Sequence, residues 1–94
     1  MNREKIDALF REKLKQLSMN TPATSVKAIV EFDEAGRHHL FELSKKSGSS
    51  VRIRHSYKNI PAVALEGNAE DILRLSEEEW VERIEEDEEV HVAG

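Results

Sequence analysis

The sequence has no cysteine, only two prolines and few aromatic residues, and it contains no long hydrophobic run. The absence of cysteine excludes disulfides, a thiol nucleophile and a cysteine-ligated metal. No apolar stretch approaches the roughly 20 residues that cross a membrane, so we expect no membrane partner. No apolar segment follows the charged residues at the N-terminus, so no signal peptide is visible.

The length and composition indicate one small soluble domain. A chain of 94 residues buries only about 60–65% of its unfolded surface, so its core must be thin. Hydrophobic residues make up 38% of the chain and charged residues 35%, a balance that suits a folded domain rather than a disordered segment.

Charge is distributed unevenly along the chain. Residues 1–58 contain 12 Lys and Arg against 7 Asp and Glu, whereas residues 59–94 contain 2 against 12. This asymmetry indicates a charged contact surface at the C-terminal end. It argues against nucleic acid as a partner there, because the phosphates would be repelled. The alternative is an acidic face that serves only solubility.

The first half of the chain predicts two helices and one strand. Residues 3–17 carry an apolar stripe at helical spacing, made of Ile6, Leu9, Phe10, Leu14 and Leu17. The alternation over residues 26–32 predicts a strand that buries Val26, Ala28, Val30 and Phe32. Asp33 is placed to cap a second helix, which ends near Lys46, and Gly48 is suited to a left-handed conformation just beyond it.

The next part of the chain predicts two strands and a short helix. Residues 50–57 alternate, which indicates a strand with His55 on the core side. Residues 60–65 predict a further strand, in which Pro61 must lie at an edge or at the beginning because it has no N–H to donate. Asn68 is placed to cap the helix. The buried side of that helix is predicted to contain Ile72 and Leu75.

The segment after this helix has two interpretations. Ser76 and Glu79 fit a capping box, which favours another helix. The competing interpretation is a turn followed by a strand from Val81 to about Asp87. With that strand, the order is a leading helix and then β-α-β-β-α-β, an α+β, ferredoxin-like arrangement with an antiparallel four-stranded sheet, two helices on one face and an extra N-terminal helix.

Several short segments share their order and spacing with one known family. These segments are residues 28–32, Gly48, residues 57–65, the pair Ile72 and Leu75, and Val81 with residues 84–87. Together they resemble the propeptide domain of subtilisin-like serine proteases, the subtilisin-propeptide or proteinase-inhibitor family. The resemblance implies an inhibitor and folding chaperone whose partner is a subtilisin-like protease, in cis or in trans.

The resemblance also implies two kinds of binding residue. Glu85 and Asp87 match acids of the last strand that approach the N-termini of two protease helices, where free N–H groups favour a carboxylate. The tail would lie in the substrate cleft as an added strand, with Ala93 next to the scissile bond. This protease-binding tail consists of Val90, His91, Val92, Ala93 and Gly94. The alternatives are ordinary solvated acids and a frayed chain end.

The chain is predicted to consist of three parts, and it departs from the family pattern in two of its features. The expected parts are an N-terminal helical extension over residues 1–20, an inhibitor domain over residues 26–89 and the extended tail over residues 90–94. The simplest family members have no such extension, and the proline-containing turn before the last strand is replaced by residues 78–80. Without a signal peptide we expect a cytoplasmic protein as written, or one secreted with its protease if the chain is a segment of a longer precursor.

No pattern in the sequence indicates catalysis, a metal or a cofactor. His38 and His39 are adjacent, and adjacent helical residues point about 100° apart and rarely bind one ion together. His55 is expected as a partly buried core residue. The serines have no matching His and Asp pattern, and there is no Gly-rich phosphate loop. We therefore expect that the chain is not an enzyme and uses no cofactor.

Two other functions remain open from the sequence. A ferredoxin-like regulatory or ligand-binding domain would use a pocket between helices and sheet and would be indifferent to removal of the tail. A structural interaction module would use the apolar stripe of residues 3–17 on a partner helix.

Overall fold

The computed structural model of the chain describes residues 5–87, which contain three helices and four strands. They follow the order α1 Ala8–Asn20, β1 Ser25–Phe32, α2 Gly36–Lys45, β2 Arg52–Ser56, β3 Ala62–Asn68, α3 Ala69–Leu75 and β4 Val81–Glu86. The strands form one antiparallel sheet in the order β2-β3-β1-β4. The predicted α+β class with a four-stranded antiparallel sheet is confirmed.

The hydrophobic core lies on one face of this sheet. As predicted, β1 buries one set of alternating side chains, namely Val26, Ala28, Val30 and Phe32. The other elements add residues to the same cluster, among them Phe10, Leu14, Leu40, Val63, Leu65, Ile72, Leu75, Val81 and Ile84. Helix α3 packs on β1 and β3, α2 packs on β2, and α1 packs on α3. We call this side of the sheet the helix-covered face.

The predicted start of the N-terminal helix is wrong. Asp7 forms the N-cap of α1, and its Oδ2 accepts the N–H groups of Leu9 and of the next residue at 3.1 and 3.3 Å. Because this carboxylate satisfies free N–H groups of the first turn, the helix begins after it rather than at residue 3. Ile6 instead forms a parallel bridge with Ile84 of β4. Leu9, on the predicted apolar stripe, is 82% exposed, and α1 ends at Asn20, the last residue of the predicted helical extension.

Helix α2 begins close to β1 because of one glycine. The predicted cap residue is wrong, because Ala35 rather than Asp33 occupies the N-cap position, although the Oδ1 of Asp33 accepts the N–H groups of Ala35 and Gly36 at 3.0 and 3.1 Å just before the helix. A Cβ on Gly36 would lie 2.3 Å from Cβ of Phe32, so no larger residue fits there. After the helix, Gly48 has φ +92°, the predicted left-handed conformation.

Strand β2 contains an irregularity that the alternating pattern did not predict. Ile53 lies opposite Leu65, but His55, two residues on, lies opposite Ala64 rather than Val63. The extra residue rotates the rest of the strand, so His55 turns to the other face of the sheet. The prediction of a partly buried core histidine is therefore wrong, and His55 is exposed.

The remaining elements decide the open question about the C-terminal third. Pro61 lies just before β3, which is an interior strand, so the proline removes no bond from the ladder. Asn68 caps α3 as predicted, since its Oδ1 accepts the N–H of Asp71 at 2.8 Å. The hydroxyl of Ser76 donates to the Leu73 carbonyl oxygen instead of starting a new helix. The strand interpretation is therefore correct over Val81–Glu86.

Among the described residues, no helix is long and apolar enough to cross a membrane.

Candidate functional site

The second face of the sheet is covered by none of the three helices whose side chains build the core. We call it the open face. Its side chains form three rows that cross the strands in register. The rows are His55, Ala64, Ile29 and Glu85; Arg52, Glu66 and Lys27; and Ala62, Glu31 and Arg83. The middle of this face is therefore made of small and aliphatic side chains, with charged residues around it.

The two acids singled out from the sequence lie at the end of β4. Glu85 lies opposite Ile29, on the open face. Asp87 follows the strand directly, and its N–H donates to the carbonyl oxygen of Lys27 at 3.1 Å, which continues the pairing with β1 by one residue. Alternation along an extended chain then directs both carboxylates to the same side. The structure thus brings Glu85 and Asp87 together at one corner of the open face.

Each of these carboxylates has a cationic neighbour within the chain. An Arg83 Nη2 lies 2.6 Å from the Glu85 carboxylate, with side chains 63% and 45% exposed. An Arg54 Nη1 lies 4.0 Å from the Asp87 carboxylate. Ion pairs as exposed as the first contribute at most about 1 kcal/mol, so a partner that offers better donors could replace it.

Arg54 has a position that sequence reasoning did not indicate. It belongs to β2, one edge strand, whereas Asp87 follows β4, the other edge strand. Strands lie about 4.8 Å apart, so the Arg54 side chain must extend across β3 and β1 to reach Asp87. The irregularity of β2 next to Ile53 makes this possible, and no local pattern in the sequence announces it.

The connection between β2 and β3 is fixed from the other side by Arg37 of α2. Its guanidinium donates to the carbonyl oxygen of Tyr57 at 3.0 Å and to the hydroxyl of Ser56, and it lies 5.2 Å from the ring centre of Phe32. Ile60 in this connection is 50% exposed. The connection is therefore an ordered loop with an apolar side chain at its surface.

A groove of about 720 Å³ runs between α2 and α3. His39 and Trp80 stack at one end of it, with ring centres 5.3 Å apart. Lys45, Lys46 and Arg74 line it together with Glu42, Asp71 and Glu78, so its rim carries basic and acidic side chains in equal number.

The other residues considered from the sequence are not brought together. His38 and His39 have ring centres 6.2 Å apart, and the stacking partner of His39 is Trp80. Within residues 5–87, no group of three or more His, Asp or Glu could bind a metal ion. The tail residues lie outside the described residues; they are Val90, His91, Val92, Ala93 and Gly94.

Comparison of the chain with protein-family models and with curated proteins gives no match.

Proposed function

We propose that the chain is an inhibitor, or inhibitor and folding chaperone, of a subtilisin-like serine protease. In this proposal the open face packs on two surface helices of the protease, and the C-terminal tail occupies the substrate cleft. The observation that supports it most directly is the position of Glu85 and Asp87 at one corner of a sheet face that none of the helices within residues 5–87 covers. It also rests on the resemblance of residues 26–93 to the propeptide family.

The proposal includes a ferredoxin-like fold for this domain. Counted from the β4 edge, the strand order becomes β4-β1-β3-β2, which is compatible with a β-α-β-β-α-β domain in which α2 and α3 lie on one face. Helix α1 is then the addition.

The acids suit a partner that presents helix N-termini. The first N–H groups of a helix have no partner within the helix, and the helix dipole adds positive potential there. A carboxylate that accepts such N–H groups forms charge-assisted hydrogen bonds. Glu85 and Asp87 could exchange their arginine neighbours for these donors, because Glu85 remains 45% and Asp87 23% exposed.

The middle of the open face suits the close approach of helices. Ala62 and Ala64 place only methyl groups there, beside Ile29, and they are 0% and 5% exposed, so a partner would reach them only by displacing the longer side chains around them. Small side chains let a partner's backbone come near, while the surrounding charged groups remain at the rim. Interfaces of this kind have an apolar centre and a polar rim.

The proposal is tested by inhibition of a purified subtilisin-like protease. We expect the full chain to inhibit with a constant below about 1 μM, and a chain that ends at Glu89 to lose this inhibition because it lacks the cleft-binding tail. Slow cleavage next to Ala93 should accompany inhibition. A folded full chain that inhibits no such protease would refute the proposal.

A pair of tail variants serves as a matched control. In a bound strand alternate side chains enter pockets, and the resemblance gives Val90 the pocket four residues from the cut. Val90→Asp should therefore raise the inhibition constant more than His91→Asp, which adds the same charge at the neighbouring position. Equal effects would indicate that the tail does not bind as an ordered strand.

The groove between α2 and α3 favours a second candidate, a regulatory or ligand-binding domain. Its rim combines Lys45, Lys46 and Arg74 with Glu42, Asp71 and Glu78, which suits a small polar ligand that carries both donors and acceptors. This function predicts that such a ligand raises the melting temperature of the full chain and of the chain that ends at Glu89 equally.

A further inference from the structure

The proposed function gives no role to the beginning of the described chain. Ile6 is 1% exposed and Phe10 is 4% exposed, so both belong to the core although they lie outside the part of the chain that resembles the propeptide family. We call residues 5–13 the N-terminal arm.

The N-terminal arm contacts the β4 region at three points. Before the strand, Nζ of Lys5 donates to the carbonyl oxygen of Glu78 at 2.6 Å. In its middle, the N–H of Ile84 donates to the carbonyl oxygen of Lys5 at 2.7 Å. At its end, the Lys13 ammonium forms an ion pair with the Glu86 carboxylate. The contacts thus extend along the whole of β4.

Strand β4 needs such contacts more than the interior strands do. It pairs with β1 on one side, where the register shifts between Glu31 and Phe32. On its other side, within the described part of the chain, β4 pairs only through the bridge between Ile6 and Ile84. An edge strand with one full neighbour opens more easily than a strand with two.

The arm acts on the same residues that orient the acids. The arm binds the backbone N–H of Ile84 at the edge of the strand and the carboxylate of Glu86, and Glu85 and Asp87 alternate with these two residues along the chain. Glu85 lies between Ile84 and Glu86, and Asp87 follows Glu86. Contacts that hold the backbone at Ile84 and Glu86 therefore also fix the direction in which the Glu85 and Asp87 carboxylates point.

We propose that the N-terminal arm is a positioning element, which orders β4 so that Glu85 and Asp87 are already arranged for binding in the free protein. Ile6 and Lys13 are its positioning residues. This inference rests on the proposed function. A preorganised surface binds more tightly because less ordering is required at the moment of association.

Backbone hydrogen exchange of the free full chain tests the positioning without a protease. Ile6→Ala should accelerate exchange at Ile84 and Asp87, whose N–H groups donate to Lys5 and Lys27, by at least about tenfold relative to the amides of β3, because it removes a buried contact of β4. The matched control is Leu9→Ala, which truncates an aliphatic residue of the arm that is 82% exposed. This control should change the exchange rates of neither the β4 nor the β3 amides. Equal acceleration throughout the sheet in Ile6→Ala would overturn the inference.

Inhibition measurements then test the consequence for binding. Leu40→Ala removes an equally buried residue of α2 and controls for general destabilisation. At a temperature where all variants are folded, Ile6→Ala should raise the inhibition constant at least about tenfold more than Leu40→Ala does. Equal increases, or a loosened β4 with unchanged inhibition, would overturn the inference. If even the unaltered chain inhibits nothing, the proposed function fails, while the exchange data still decide whether the arm orders β4.

A charge exchange provides a second test if Ile6→Ala does not fold. Lys13→Glu and Glu86→Lys should each accelerate exchange at Asp87, whose N–H donates to Lys27, and the double variant should restore the unaltered rate because the pair is re-formed with opposite signs. Failure of the double variant to restore the rate would overturn the role of Lys13.

Discussion

The two faces of the sheet differ in what their residues contribute, although they are built from the same strands. On β3, Leu65 points to the helix-covered face and is completely buried among aliphatic side chains, whereas its neighbour Ala64 points to the open face. The helix-covered face is made of large apolar side chains, whereas the open face has small side chains in its middle and charged side chains around them. The comparison separates the large apolar residues that build the core from the charged residues of the open face, which remain at the surface.

The strongest test of this division compares one strand residue from each face. Leu65→Ala should lower the free energy of unfolding by about 3 kcal/mol, because it leaves a cavity in the core. Ile29→Ala on the open face should lower it by about 1 kcal/mol or less, because Ile29 is only partly buried. Denaturant unfolding measures both values, and similar losses would contradict the division.

The start of α2 offers a second test on the helix-covered face. Gly36→Ala should lower the free energy of unfolding by about 2 kcal/mol or more, since the new Cβ would overlap the Phe32 side chain. Ala35→Gly, at the preceding exposed position, is the control for a change at the helix start and should cost far less. A well-folded Gly36→Ala variant of unchanged stability would show that the contact between α2 and β1 is looser than described.

Substitution of the acids on the open face should weaken inhibition and leave the stability of the fold unchanged. Glu85→Gln combined with Asp87→Asn should leave the free energy of unfolding within about 0.5 kcal/mol of the original, because both side chains are partly exposed. The same variant should weaken protease inhibition by about tenfold or more, since hydrogen bonds to charged groups contribute about 1.5–3 kcal/mol each. Glu77→Gln combined with Glu79→Gln removes the same charge from an exposed turn and should leave inhibition unchanged.

The N-cap of α3 offers a test with a smaller expected loss of stability on the helix-covered side. Asn68→Ala should lower the free energy of unfolding by about 1 kcal/mol, because the N–H of Asp71 loses its acceptor. Thermal unfolding detects this loss. Inhibition should be unchanged at temperatures where the variant is folded, because α3 packs on the helix-covered face.

The features that followed from the sequence are those with a local cause. The alternation of β1, the cap at Asn68 and the left-handed Gly48 each depend on residues close together in the chain, and each was predicted correctly. The β4 strand was recognised only as one of two interpretations, because the local pattern around Ser76 also fitted a helix.

The features that did not follow depend on contacts between distant parts of the chain. The irregularity of β2 turns His55 to the open face, and it is set by pairing with β3 rather than by the alternating residues of β2 itself. Ile6 fits a helical stripe, yet it pairs with Ile84, 78 positions away. For the candidate site, the role of Glu85 and Asp87 stays a prediction from the family resemblance, whereas the reach of Arg54 to Asp87 had no signal in the sequence because it requires the strand order.

The central claim, that the open face binds the protease, can be measured through isoleucine methyl groups. The chain has six isoleucines, and Ile29 is the one that the strand register places on the open face, whereas Ile6, Ile72 and Ile84 are buried in the core. Methyl spectra of the labelled full chain, free and bound to a catalytically inactivated subtilisin-like protease, compare the two faces directly. The account predicts a large shift and loss of solvent exposure at Ile29, with small changes at Ile6 and Ile72. A complex in which Ile29 is unchanged while core or loop isoleucines respond would contradict it.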